Sequence, residues 1–240
     1  TRLQYTGKIE NDTLKGNLYL VGGFDPEFMD EDLDSLVDVI AQSGIRYIAD
    51  TLAADVSMTD SVYWGNGWSW DDVPASFQPY MSPLMLNRGC VDVTVIPTQK
   101  DSLPQVVCVP ASDYYQVDND GVSHQPKAER LQITRNWLYH GNLIHISGNV
   151  TKETTRTLSI YNSKEFFFRT FVQRLKAKGI RFNQTTFADC PENDSLTVVS
   201  SLFTLKRPIV EVLKQMMKES DNLCAESMFY HMAKNHVNHK

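Results

Sequence analysis

No run in the 240 residues approaches the roughly 18 consecutive apolar residues that a membrane-spanning helix requires, so no membrane span is expected. Positive charge is also in short supply. The 23 Lys and Arg are outnumbered by 29 Asp and Glu, leaving a formal net charge of -6, and the basic residues are scattered instead of forming a stripe. A nucleic-acid partner has no electrostatic footprint here. Cys90, Cys108, Cys190 and Cys224 show no C-x-x-C spacing, which excludes a zinc knuckle and a thioredoxin-type pair and leaves buried free thiols as the expectation. His231, His236 and His239 lack the i, i+4 spacing of a helical zinc pair and read as solvated. Gly65-Asn66-Gly67 lacks the further glycines and following helix of a phosphate loop. No metal or cofactor is therefore expected. Internal repeats and low-complexity tracts are absent as well. The chain starts at Thr1 without a basic-then-apolar leader, so any secretory address is expected to have been removed or to lie upstream.

What is present is an ordinary globular composition, 42% hydrophobic and 22% charged, in a chain long enough to bury a substantial core. Lys8-Ile9-Glu10, Asn11-Asp12 and Asn17 to Val21 read as a hairpin of two short strands. Leu33, Leu36, Val37, Ile40 and Ala41 recur at helical spacing behind Asp30, Glu31 and Asp32, with Gly44 following. Ile45 to Asp50 returns as a strand. Residues 57–82 have neither helical nor strand period and carry Trp64, Trp68 and Trp70, which predicts a long, packed and ordered loop. Val91 to Pro97, Gln105 to Pro110, Leu131 to Leu138, Leu143 to Val150 and Thr155 to Tyr161 predict a mostly antiparallel β region. A second helix is expected over 164–178, an extended segment from Ile180, a strand over 196–202, and two closing helices over 208–218 and 223–233.

Between those last two helices lies Ser220-Asp221-Asn222. Ser-Asp-Asn accompanies S-x-x-K and K-T-G in penicillin-recognising serine acyl-enzymes. Ser, Asp or Asn at a helix start is also the commonest N-cap, so the triplet by itself decides nothing.

Four ordered blocks accompany it: Gly16 to Gly23 with Asp25-Pro26, Gly65 to Asp72, Asn87 to Pro97, and Leu205 to Glu226. Through them nearly the whole chain resembles the class C penicillin-binding proteins, D-alanyl-D-alanine carboxypeptidases/endopeptidases with large domains inserted into a β-lactamase-like core. The resemblance implies an α+β fold, with β-rich inserted domains on part of a β-lactamase/transpeptidase-like core. An inserted region is expected over 1–195 and the start of the helical core over 196–240. No serine here is followed three places later by lysine, and no Lys-Thr-Gly occurs. The chain therefore resembles an internal piece of such an enzyme, without its nucleophile.

The implied chemistry is acyl transfer, in which a serine attacks the bond between two D-alanines and water later cleaves the ester. By resemblance Ser220 relays a proton and Asn222 holds the substrate backbone with its amide, while Asp221 orders the turn. Asp72 and Phe77 match an acid and an aromatic that receive the amine end of the stem-peptide side chain, although Asp71 is an alternative register and a turn cap with a core ring is the plainer reading. The implied partners are the peptidoglycan stem peptide and β-lactam inhibitors, in a periplasmic or otherwise extracytoplasmic setting, with homodimer formation left open. The rival from another class is a non-catalytic cell-wall-binding or scaffolding module. A β-lactamase proper is disfavoured by the length of the β-rich insertion.

Overall fold

The computed structural model describes residues 1–237, with side chains to residue 234. β1 (Arg2–Thr6) leads into a short hairpin of β2 (Lys8–Glu10) and β3 (Thr13–Lys15). The hairpin closes on Thr13–Lys15 and not on Asn17–Val21, as the pattern alone suggests. Leu18–Val21 is instead a separate strand, β4, buried at all four residues. It lies between β1, to which it is antiparallel, and β5 (Tyr47–Asp55), to which it is parallel. A continuous apolar run of this kind belongs to a strand covered on both faces. Gly7 and Gly16 make the crossing into it, at φ 84° and 155°. A Cβ on either would fall 1.9 or 2.0 Å from a facing carbonyl oxygen, so only glycine fits.

Before β5 comes α1 (Asp30–Gln42), with Leu33, Leu36, Val37 and Ile40 buried on one face and three acids in its first turn, where the helix dipole favours them. Asp32 reaches back to accept the Met29 N–H at 3.0 Å.

The chain then leaves this sheet for more than a hundred residues. β6 (Cys90–Ile96) is flanked by β7 (Gln105–Val109) and by a later strand, in a three-stranded sheet. β8 (Gln116–Ser123), β9 (Gln132–Arg135) and β10 (Leu143–Val150) form another, and β11 (Thr154–Ser159) completes the first. The β7–β6–β11 sheet is antiparallel throughout, but β8 runs parallel to β10 over eight paired positions, a departure from the antiparallel expectation. α2 (Ser163–Ala177) carries the path back and buries Phe166, Phe167, Phe171 and Leu175. Its Phe167 ring sits 4.8 Å from that of Phe28, and Arg174 and Lys178 pair with Asp34 and Asp38 of α1, both at 2.8 Å.

β12 (Arg181–Phe187) rejoins β5 in parallel, and β13 (Val199–Thr204) pairs antiparallel with β1. The first sheet thus has seven strands drawn from both ends of the chain. Residue 195 falls between two of them, so hydrogen-bonded strands lie on either side of the division expected there. One apolar cluster joins Leu3, Leu20 and Leu52 of this sheet to α1, α2 and the inner faces of both smaller sheets. The result is an α+β molecule with several sheets, as the sequence implies.

α3 (Ile209–Glu219) and α4 (Asn222–Val237) close the described chain and pack on each other. They rest on residues 24–32 and 81–88, with Leu223 beside Phe24, Met81 and Met85, and leave Ile209, Met217, Phe229 and Met232 exposed.

Candidate active site

The turn between α3 and α4 is set by its backbone first. Ser220 ends α3 in the left-handed conformation, φ 53° and ψ 44°, and its N–H closes on the Met216 carbonyl. Glycine is the usual residue at such a terminus, because a Cβ there costs about 1 kcal/mol. Asp221 begins α4, and its Oδ1 accepts the Cys224 N–H at 2.8 Å as an N-cap does. With that bond supplied by Asp221, the flanking side chains are not needed for capping. Ser220 and Asn222 are both exposed, and neither side chain makes a hydrogen bond to the protein among the described residues.

The second oxygen of Asp221 pairs with Arg88, which also holds Glu27. Burial opposes the Arg88 charge, but Asp221 and Glu27 together outweigh it and raise its pKa. Glu27 is raised as well, because burial pushes its carboxyl up against the pull of Arg88. Arg88 lies in the turn Asn87–Gly89 and is itself left-handed, at φ 60°. A few residues away Arg207 binds Asp32 at 2.7 Å, Asp25 at 3.2 Å and the Glu27 carbonyl at 2.8 Å. Ser227 donates to the Phe24 carbonyl at 2.6 Å. The thiol of Cys224, buried under this network, is pushed up to about 12 by burial and then by the neighbouring Asp221 carboxylate.

These contacts open onto a cleft of about 310 Å³ lined by Phe77, Asn87, Arg88, Asp92, Thr157 and Asp221 among others. Phe77 and Asp221, from sequence positions far apart, therefore share one space. Asp72 does not line it. That residue lies in the turn Trp70–Asp72, exposed like Asp71, and receives the Ala75 N–H on its carbonyl at 2.8 Å. Phe77 is 60% exposed, so its ring is not a core residue. The loop carrying both is ordered as expected: Ala75 bridges Leu158 of β11, Ser159 donates to the Pro74 carbonyl at 2.9 Å, and Tyr63 stacks on Tyr80 at 4.1 Å.

Arg88, Glu27 and Arg207 were not singled out by the sequence pattern. The one local signal is Asn87-Arg88-Gly89, in which Asn and Gly flank an arginine and favour left-handed turns. Among the cysteines Cys90 and Cys224 are buried free thiols, while Cys108 and Cys190 are half-buried free thiols. His231 is exposed, its pKa lowered chiefly by desolvation. The side chain of His236 and the whole of His239 lie outside the described residues.

Comparison with known proteins agrees across the chain. The family described as D-Ala-D-Ala carboxypeptidase 3 (S13) matches residues 1–240. D-alanyl-D-alanine carboxypeptidase DacB of Haemophilus influenzae is 26% identical over 243 residues, covering 98% of this chain and 49% of that protein. A D-alanyl-D-alanine carboxypeptidase of an Actinomadura species is 31% identical over 113 residues, 45% of this chain and 21% of that one. Among solved structures, penicillin binding protein 4 of H. influenzae superposes with a TM-score of 0.72 at 23% identity, over 99% of this chain and 52% of its own. The same protein complexed with a β-lactam gives 0.60 at 20% identity, over 95% and 50%. The chain spans about half the length of the relatives it matches over its full extent.

Proposed function

Because the chain belongs to the D-Ala-D-Ala carboxypeptidase 3 (S13) family, we propose that it is the part of a serine D,D-carboxypeptidase/endopeptidase that contributes Ser220 and Asn222 to acyl transfer on peptidoglycan. The observation that carries this reading is the geometry of Ser220. An exposed serine occupies a left-handed position that glycine would fill with less strain, and its hydroxyl is not used to cap either helix. Left-handed backbone at an exposed polar residue, beside a neighbour fixed by an ion-pair network, supports a retained chemical role. Ser220 passes a proton toward the departing amine, since a hydroxyl both donates and accepts. Asn222 orients the substrate backbone with one donor and one acceptor. Asp221, engaged by Arg88 and the Cys224 N–H, positions the two residues beside it.

Asp72 and Phe77 belong to the same proposal as the receiver of a substrate ammonium group. An exposed carboxylate supplies the charge and an exposed ring packs on the methylene stem. The setting is extracytoplasmic, in the bacterial periplasm, where the stem peptide and β-lactams are met.

Covalent labelling by fluorescent penicillin tests the reading in the longer protein that contains this chain. Ser220→Ala and Asn222→Ala should each slow labelling, by about a hundredfold for the proton-relay residue. Ser220→Gly is the sharper variant, because it relaxes the turn while deleting the hydroxyl. Labelling at an unchanged rate in a well-folded Ser220→Gly protein would sink the assignment. A longer protein that takes no label at all would favour the cell-wall-binding module instead. The 240-residue chain, which contains neither S-x-x-K nor K-T-G, should not label.

A further inference from the structure

Four arginines of this chain are largely buried, and three of them are matched by acids. Arg88 has Glu27 and Asp221, Arg174 has Asp30 and Asp34, and Arg207 has Asp25 and Asp32. Arg135, at the end of β9, is 4% exposed and pairs with no carboxylate among the described residues. Its Nε donates to the Ser159 carbonyl at 2.8 Å and its Nη1 to the Gly141 carbonyl at 2.7 Å, both neutral acceptors. Nη2 has no acceptor among the described residues, yet it is not sealed inside the protein. Cys90 and Tyr114, the titratable groups that bear on its charge, are each pushed up to about 12 by burial and hence neutral. Burial lowers the pKa of Arg135 itself to about 10, which leaves it charged at neutral pH. A buried cation held only by neutral acceptors, with one edge open to a cavity, favours an anionic ligand at that edge.

Arg135 lines a cavity of about 410 Å³ that is distinct from the Arg88–Asp221 cleft. The tryptophan loop serves both: Val73 and Gln78 line this cavity, Ser76 and Phe77 the other. Its other walls are aromatic. Trp70 and Trp137 lie 5.5 Å apart by ring centroid, Tyr80 meets Tyr161 edge-on at 5.3 Å, and His140 stacks on Tyr161 at 4.8 Å. Trp70 is 67% exposed at the rim, a large apolar ring left facing solvent. Such a volume, mostly aromatic and apolar with an arginine and a few other polar groups, is the ordinary form of a small-molecule site.

We propose that this cavity binds a small organic carboxylate with an apolar or ring-bearing body, its carboxylate on the free edge of Arg135 and its body against Trp70, Trp137 and the tyrosines. A monoanion fits better than a phosphate, because Arg135 is the only Lys or Arg lining the cavity among the described residues. A guanidinium edge matches a carboxylate in plane, and aromatic faces take C–H surfaces. Two sources within peptidoglycan share this chemistry, the carboxyl terminus of a peptide and the lactyl acid of a muramic sugar. Choosing these two rests on the function proposed above, whereas the preference for a carboxylate rests on Arg135 alone.

Isothermal calorimetry on the 240-residue chain tests the site with two matched pairs of probes. N-acetyl-D-alanyl-D-alanine is set against its C-terminal amide, and N-acetylmuramic acid against N-acetylglucosamine. At least one acid should bind about tenfold or more tightly than its neutral counterpart, and which one does identifies the source. Trp70→Ala, an exposed position that leaves the fold intact, should weaken that binding severalfold, and Arg135→Lys should weaken it about tenfold. If neither acid outbinds its neutral partner, or if both variants bind as tightly as the parent chain, the proposal fails. Penicillin labelling of the longer protein does not depend on this cavity, so either idea can fail without the other.

Discussion

Where α1 and α2 lie together beside the seven-stranded sheet, ion pairs of Arg174 and Lys178 with Asp30, Asp34 and Asp38 accompany a large apolar interior, in which Leu33, Leu36, Phe166, Phe167 and Phe171 are all 0% exposed. Where α3 and α4 dock, Leu223 of α4 sits on only three large buried apolar side chains, Phe24, Met81 and Met85, and two arginines with their carboxylates add ion pairs. Apolar burial is indifferent to direction and salt, whereas ion pairs fix geometry. The residues that need exact placement, Ser220 to Asn222, sit in the second kind of setting. The balance of apolar burial to ion pairing thus differs between the two regions.

Phe167→Ala should give the largest effect in breaking that contrast, lowering global stability by about 4 kcal/mol, read by denaturant unfolding. All regions should lose protection together. Arg88→Met, which strands Glu27 and Asp221 partly buried, should cost about 3 kcal/mol but locally. Hydrogen exchange should then accelerate over residues 209–234 while amides of β4 and β5 stay protected. Equal acceleration in both places would show that the helix pair and the sheet are one cooperative unit.

The thiols sharpen the same point. Cys90 in the core and Cys224 in the helix pair are both raised to about 12 from an ordinary 9.0. A group with a raised folded-state pKa binds more protons folded than unfolded above its ordinary value. The stability it contributes is complete below pH 9 and is lost as pH rises toward 12, about 1 kcal/mol per group by pH 10. Alkylation at pH 8 should reach Cys224 before Cys90, because only local detachment is needed, and Arg88→Met should speed the first more than the second. The smallest effect is that of salt: 1 M sodium chloride should loosen the helix pair by less than about 1 kcal/mol and leave the sheet unchanged, as seen in region-resolved exchange.

Much of this architecture was legible because amphipathic helices announce themselves. The face of α1 and the acids at its front match the expected span to within a few residues, and α2 does so with its phenylalanines. β8 was not legible. Gln116-Val117-Asp118-Asn119-Asp120-Gly121 has the composition of a turn, and it becomes a strand through its pairing with β10, a partner far along the chain. The same cause hid the true hairpin, since Leu18–Val21 looks like a return strand until β5 arrives on its other side. At the candidate site, the local role of Asp221 could be read from its place before a helix. Its clamp could not, because Arg88 and Glu27 are brought in from 133 and 194 positions away, and spacing holds no record of such meetings.

The four tryptophans are unevenly spread. Trp64, Trp70 and Trp137 face the cavity over Arg135, Trp68 packs on the cluster that seats α4, and none belongs to the seven-stranded sheet. Intrinsic emission is accordingly a regional instrument in this protein. It should report the loop and the helix seat, stay blind to the sheet, and diverge from far-ultraviolet ellipticity whenever the two come apart at different temperatures.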